Sequence, residues 1–348
     1  MREWSEIKSQ EGDSFMGFRK NKSHTDLLGS KNHPLGNYFG KRLLTLIPIL
    51  FGITFITYGL MFISPSDPVE MMLSAQGVPV SQEVVDSMRV KLGLDKPFLV
   101  QYFTWLKNFF TGDMGVSYVS GREVSAIIGA ALPKTLLLTF TSILMTIVLS
   151  IPLGILTAVR QNKATDYILR FLTFIGNSIP NFLLAMVLIY FFSVKMDILP
   201  ILATNSPVGL IMPTIALGTA MTGKYIRQVR SAVLEELGKD YVKGSLSRGL
   251  RPKVILYRDV LKNAMITIIT LLSLSIGSLL GGTAAVEMIF VWQGMGLTAV
   301  QAITARDYPV IQAYVVWMAI IFVIVNMVTD MVYRFLDPRV RQGLGVSK

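Results

Sequence analysis

The sequence predicts an all-α integral membrane protein with six transmembrane helices and both termini in the cytoplasm, and three observations carry that prediction. Of its 348 residues, 52% are hydrophobic and only 16% are charged, too little polar surface to clothe a soluble globule. Mean hydropathy of +0.53 agrees. Charge is absent from six stretches, 43–66, 135–159, 171–194, 198–223, 263–286 and 308–329, and a spanning helix needs roughly 20 mostly apolar residues. The surplus of positive charge, +11 overall, collects in alternate connections between those stretches.

Orientation follows from that collection, because basic flanks resist translocation and stay in the cytoplasm. Lys41 and Arg42 precede the first span, and Arg160, Lys163 and Arg170 fill the connection from the second to the third. The connection from the fourth to the fifth holds Lys224, Arg227, Arg230, Lys239, Lys243, Arg248, Arg251, Lys253, Arg258 and Lys262 against Glu235, Glu236, Asp240 and Asp259. Arg334, Arg339, Arg341 and Lys348 follow the sixth. The other connections are sparse: Lys195 lies between the third and fourth spans, and Arg306 is balanced by Asp307 between the fifth and sixth. The basic surplus is therefore a topology signal with attraction to acidic headgroups as a by-product, and no nucleic-acid partner is expected. The fourth span begins near Pro207 or Val208, after Pro200, Asn205 and Ser206, and continues past Lys224 into the cytoplasm.

Residues 1–40 mix charges with Ser, Asn and Gly and read as a flexible cytoplasmic tail, leaving 41–348 as one transmembrane domain. Polar residues fill about the first 40 positions, so a signal peptide is not expected. The chain has no cysteine, which removes disulfides, thiol nucleophiles and thiolate metal sites. Its two histidines, His24 and His33, lie in the tail, so neither a transition-metal cage nor a Ser/His/Asp triad is expected inside the membrane body.

The one large outward connection, 67–132, has the pattern of a folded segment. Ser81 suits the cap of a helix whose apolar face is Val84, Val85, Met88 and Leu92, with Gly93 ending it. Asp95 and Pro97 open a second helix carrying Phe98, Tyr102, Trp105, Phe109 and Phe110. These aromatics either lie in the membrane interface or pack onto the tops of the spans.

The inner connection, 224–262, is more informative. After Gly238, Asp240 suits the cap of a helix that places Tyr241, Ser245 and Gly249 on one face at four-residue spacing. Gly249 falls where such a helix ends, and Pro252 suits the first turn of the next, which runs toward Asn263. The pattern is a helix–turn–helix elbow with small residues on its face that let another backbone approach. A solvated basic loop is the competing reading.

At this elbow the sequence resembles the cytoplasmic "EAA" loop of bacterial ABC-importer permeases of the dipeptide, oligopeptide and nickel family. Asp240-Tyr241-Val242, Ser245, Gly249-Leu250 and Asn263-Ala264 carry the likeness. It continues in Pro65-Ser66-Asp67-Pro68, in Leu92-Gly93-Leu94-Asp95-Lys96-Pro97 with Gln101-Tyr102, and in Pro180-Asn181-Phe182. Gly281-Gly282, Glu287, Phe290, Gly294, Gly296, Arg306-Asp307-Tyr308-Pro309-Val310 and Asp337-Pro338-Arg339 complete it, in the family's order. Departures are small: Ser245 where alanine is usual, Thr267 where a proline often stands, Gln293 where W-P-G is common, and Ser66 for glycine.

The resemblance implies a type I ABC-importer permease fold and the first of two permease subunits in a bacterial inner membrane. It also implies a homologous second permease and two cytoplasmic ATPase subunits that bind the ATP and Mg, so that this chain needs no cofactor and catalyses nothing. An extracytoplasmic binding protein would deliver the cargo. The ATPases would dock on Asp240, Tyr241, Ser245, Arg248, Gly249 and Leu250, and the pathway would work by alternating access. Phe174 to Pro200, with Ser193-Val194-Lys195, looks closer to nickel and metal-chelate permeases than to oligopeptide ones.

Other candidate sites compete with plainer readings. Ser273, Gly277 and Gly281 repeat every four residues in the fifth span, with Ser278 and Gly282 as a second row, the pattern of close helix contact in lipid. The contact is either with the partner permease along the pathway or within this subunit. Glu287, at the outer end of that span, either meets cargo or binding protein or hydrogen-bonds the adjoining glycine-rich loop. Asn177, Ser178, Pro180 and Asn181 interrupt the third span as a kink, Asn326 reads as interhelical glue, and the 18 methionines as apolar filling. Gly218 with Gly223-Lys224-Tyr225 has a phosphate loop's spacing, but Tyr225 replaces the Ser/Thr that would bind Mg. A secondary transporter or channel is the alternative function, and would show an intramembrane ionisable residue, which none of the six runs contains.

Overall fold

The computed structural model describes residues 35–63, 67–75, 81–203 and 206–336. The motifs Pro65-Ser66 and Asp337-Pro338-Arg339, both histidines and residues 1–34 lie outside that set. Every described element is helical apart from one isolated bridge, Val116 to Glu123.

Thirteen described α-helices follow in order. Helix α1 (Leu35–Phe62) leads to the outer segment, α2 (Pro68–Ala75), α3 (Gln82–Leu92) and α4 (Phe98–Phe110). Next come α5 (Val124–Val159), α6 (Ala164–Ser178) and α7 (Asn181–Leu188), the last extended by a π-helical stretch, Ile189–Lys195. A 3₁₀ turn (Val208–Leu210) opens α8 (Ile211–Leu237), and α9 (Asp240–Ser247) follows. Helix α10 (Pro252–Ile255) passes through a π-helical turn (Leu256–Val260) into α11 (Leu261–Ile289). Helices α12 (Met295–Thr304) and α13 (Tyr308–Leu336) complete the fold.

Two of these helices, Val124–Val159 and Tyr308–Thr329, are long and apolar enough to cross a membrane by length and composition. A third crossing exists if α6 and the run Asn181–Lys195, bent by 100° at Pro180, count as one span. The bend has a local cause. Pro180 has no N–H to continue the ladder, and Ser178 turns its hydroxyl back onto the Phe174 carbonyl at 2.8 Å.

Boundaries differ from the sequence reading in two places and agree in a third. Helix α1 already runs from Leu35, so the end of segment 1–40 is helical. Helix α5 begins at Val124 and carries Pro133 and Lys134 within it, because its outer end packs against α12 and α13. The helix expected to begin near Pro207 or Val208 and to continue past Lys224 opens at Val208 and runs unbroken to Leu237.

Helices α5 and α8 form the centre, running parallel and close along most of their lengths. Ser142, Thr146, Ser150, Gly154 and Ala158, four residues apart, are all buried on the face that meets α8. A Cβ at Gly154 would stand 2.5 Å from Val229 Cβ, and one at Gly218 would stand 3.4 Å from the Ser142 carbonyl. Small residues are what lets two backbones approach in lipid, where the hydrophobic effect supplies no attraction between helices. Outward, Phe140, Leu144 and Val148 of α5 and Leu44, Ile47, Ile56 and Leu60 of α1 are exposed, as lipid-facing residues are.

Candidate functional site

The inner elbow is built on two long helices. Helix α8 ends at Leu237, and α9 starts with Lys239 as its cap residue, so Asp240 stands in the first turn and pairs with Lys243 at 3.0 Å instead of capping. Gly249 ends α9 at φ 79°, a left-handed conformation that costs any side chain with a Cβ. Pro252 is at the start of α10, whose course continues into α11.

One tyrosine ties the elbow to the end of α8. The Tyr241 hydroxyl donates to Glu236 Oε2 at 2.9 Å, on the last turn of α8. Burial is the first cause that pushes this hydroxyl's pKa up. Lys239 Nζ lies 2.5 Å from the other oxygen of Glu236, which raises the lysine's pKa.

The face carrying Tyr241 and Ser245 turns inward. Ser245 is buried and accepts a bond from Arg248 at 3.2 Å, whereas Gly249 is exposed at the tip. Leu246, Leu250, Val254 and Tyr257 are exposed instead, and make an apolar outer surface flanked by Arg248, Arg251 and Lys253.

At the outer end, Glu287 is fully buried. Its carboxylate accepts from Thr135 Oγ1 at 2.6 Å and from Leu297 N at 3.0 Å, while Thr135 Oγ1 accepts from Met295 N at 2.7 Å. The two side chains thus satisfy the orphan N–H groups at the start of α12. Of the alternatives for Glu287, the structure has the hydrogen bond into the glycine-rich loop. Gly294 and Gly296 are obligatory there: a Cβ at Gly294 would collide with Thr135 Oγ1, and one at Gly296 would stand 2.5 Å from Ala284 Cα. Gln293 accepts from Lys134 at 2.9 Å and closes the same loop.

The small-residue rows of α11 separate. Gly277 packs within this subunit, since a Cβ there would stand 2.7 Å from the Phe322 ring of α13. Gly281 and Gly282 are exposed, and a Cβ added at either would meet no neighbouring atom within 4 Å. The side chains of Ser273 and Ser278 lie outside the described residues.

The outer segment is held by the residues that carry the resemblance. Ser81 caps α3, and Gly93 ends it at φ 70°. Asp67 accepts from Val69 N at 2.8 Å and pairs with Arg89, whose pKa rises chiefly through that bond. Gln101 holds the turn before α4 by donating to the carbonyls of Leu94 and Lys96 at 3.0 and 2.7 Å. Tyr102 is buried against Phe51, Phe55 and Tyr58 of α1, with its hydroxyl 2.9 Å from Thr54 Oγ1. One face of α4 therefore packs on α1, and its other face leaves Leu99, Phe103 and Phe110 exposed. Asp307 is not spent on balancing charge alone: it accepts from Ser117 Oγ at 2.5 Å and Tyr118 N at 3.0 Å, pinning the 111–123 loop to the start of α13.

Comparison with known proteins agrees with this geometry. Residues 150–342 match the family described as "binding-protein-dependent transport system inner membrane component", and residues 36–139 match its N-terminal companion. The chain belongs to this permease family. The permease is 35% identical over 304 residues to the metal-staphylopine import system permease protein CntB of Staphylococcus aureus (strain NCTC 8325 / PS 47), covering 87% of this chain and 97% of that protein. It is 37% identical over 314 residues to the oligopeptide transport system permease protein AppB of Bacillus subtilis (strain 168), covering 87% and 98%. With the glutathione transport system permease protein GsiC of Escherichia coli (strain K12) the identity is 34% over 305 residues, covering 88% and 99%. Among solved structures, the inward-facing MetNI methionine ABC transporter matches with a TM-score of 0.50 at 19% identity, over 61% of this chain and 96% of that one. That likeness supports the fold, a type I ABC-importer permease. The permease is accordingly a multi-pass inner-membrane subunit of an ABC importer, and not its catalytic subunit.

Sequence reasoning missed the central contact of α5 with α8. The signal was present as small residues at four-residue spacing from Ser142 to Ala158, the same pattern sought in the fifth span.

Proposed function

We propose that the permease crosses the membrane six times, through α1, α5, the bent α6–α7 pair, α8, α11 and α13, with both termini inside. It pairs with a homologous second permease, and the two enclose a pathway that opens alternately to either side. Two cytoplasmic ATPase subunits, holding ATP and Mg, dock on the elbows, and an extracytoplasmic binding protein delivers cargo. Peptides or peptide-like metal chelates are the cargo class, as the names of CntB, AppB and GsiC suggest.

The observation that carries this reading is a pair of tyrosine bonds: Tyr241 ties the small helix α9 to Glu236 at the end of α8, and Tyr225 ties α8 to the Leu271 carbonyl of α11 at 2.6 Å. A push on α9 then moves two spanning helices as one body, which is what conversion of ATPase closure into pathway opening requires. Docking is assigned to Asp240, Arg248, Gly249 and Leu250 at the exposed rim and tip, with Tyr241 and Ser245 as the root that keeps the elbow rigid.

The test is uptake of labelled dipeptide, labelled oligopeptide and labelled nickel, with and without a chelator, in cells lacking this chain and in cells with it restored. Restoration of one cargo class names the substrate. Unchanged uptake of all of them would reject the cargo class.

A further inference from the structure

Lys224 is deeper in the membrane than its sequence position implies. The charge-free run ending at residue 223 predicts a boundary at Lys224, yet three contacts place it inside the apolar zone. Gly218 meets Ser142 and Gly154 meets Val229, so Lys224 is level with Val148 and Leu149, the middle of the run 135–159. Its ammonium donates to Ser275 Oγ at 3.2 Å, and Ser275 is at the middle of the run 263–286. Arg230, which pairs with Asp166 just past the 160–163 connection, lies about 9 Å further toward the cytoplasm at 1.5 Å per residue.

The surroundings are those of a site. Tyr225, buried, presents its ring 5.8 Å from the Lys224 ammonium, and its hydroxyl lies 2.7 Å from Ser275 Oγ. Lys224 is exposed on the surface of α8, as is Arg227 one turn nearer the cytoplasm, and among the described residues no carboxylate pairs with either. Gln228, on the same face, keeps a buried Oε1 with no hydrogen-bond partner. A fixed charge at this depth is costly against lipid and is tolerated where it faces a watery cavity or a ligand.

We propose that Lys224 is a pathway cation that takes the carboxylate of the cargo part-way across the membrane, with Arg227 as the next step inward. This rests on the importer reading and narrows its cargo to molecules bearing at least one free carboxylate, the group that a peptide C-terminus and a carboxylate chelator share. One ammonium beside neutral hydroxyls and an amide matches a singly charged group.

Two arms test it in the assembled transporter. Lys224→Cys puts the chain's one thiol at this position, and the probes are a water-soluble sulfonate-bearing thiol reagent and a lipid-soluble maleimide, with labelling read on this chain after separation. The sulfonate reagent labels it, and does so faster than a cationic reagent of the same size because Arg227 remains. Labelling by the maleimide alone would mean that Lys224 faces lipid or the partner subunit, and would overturn the proposal whatever the cargo.

The second arm compares uptake of a labelled peptide having a free C-terminus with its C-terminal amide. Lys224→Met lowers uptake of the free acid by about tenfold or more and spares the amide, and Lys224→Arg restores the acid. Equal loss of both peptides, or co-loss of subunit assembly, would overturn it. If the wild-type transporter moves no peptide, the peptide reading fails by itself, and nickel held by a carboxylate chelator against nickel held by a neutral one supplies the same comparison.

Discussion

Arg230 grips Asp166 through two bonds of 2.9 Å, Nε to Oδ1 and Nη2 to Oδ2, and so joins α8 to the first turn of α6. The carboxylate is fully buried and also accepts from Asn162 N at 3.0 Å, which fixes the connection between α5 and α6. Removing the arginine leaves a buried carboxylate with one bond. Arg230→Met is expected to cost about 3 kcal/mol, the low end for a broken buried pair because Arg230 itself keeps some solvent contact. The thermal midpoint of the purified transporter checks it, and Arg230→Met combined with Asp166→Leu should recover part of the loss.

The α5–α8 contact makes a sharper steric prediction. Gly154→Ala puts a methyl 2.5 Å from Val229 Cβ and is expected to destabilise by about 1–3 kcal/mol. Gly281→Ala, where nothing lies within 4 Å, should leave stability unchanged. Comparing the two variants' thermal midpoints decides whether the helices meet where described; equal losses would place the contact elsewhere.

At the outer latch, Glu287→Ala strands the N–H of Leu297 and the hydroxyl of Thr135. The expected cost is about 1–3 kcal/mol per unsatisfied group, with Glu287→Gln much milder because an amide oxygen still accepts. Hydrogen exchange at residues 294–300 should rise in the alanine variant and stay near wild type in the glutamine variant.

The elbow yields a prediction by accessibility. Leu250→Cys, exposed, should cross-link quickly to a matching engineered cysteine on an ATPase subunit, whereas Ser245→Cys, 4% exposed, should react slowly. The reverse order would mean that the face bearing Tyr241 and Ser245 meets the ATPase. Gly249→Ala is expected to cost about 1–2 kcal/mol for its left-handed backbone and to lower coupling of ATP hydrolysis to uptake.

Much of this architecture was legible in the residues, for physical reasons that differ by element. The caps at Ser81 and Gly93, the break at Pro180, the end at Gly249 and the restart at Pro252 could be read because each depends on a backbone property of one residue type. Charge placement was less informative about depth. The charge pattern puts Lys224 and Arg230 in a connection, yet Arg230 pairs with Asp166 and Lys224 reaches Ser275 with one of its donors, contacts between segments far apart in sequence. The same limit hid the inward turn of Ser245 and the buried stripe from Ser142 to Ala158, since four-residue spacing identifies a face without saying what it faces.

The most direct test of the central claim is the energy source of uptake, measured with the assembled transporter in vesicles. With a delivered cargo, uptake is predicted to require ATP hydrolysis, to survive collapse of ion gradients, and to be lost with Leu250→Asp at the elbow while the subunit stays folded. Uptake that followed an ion gradient, ignored ATP and tolerated that substitution would contradict the account.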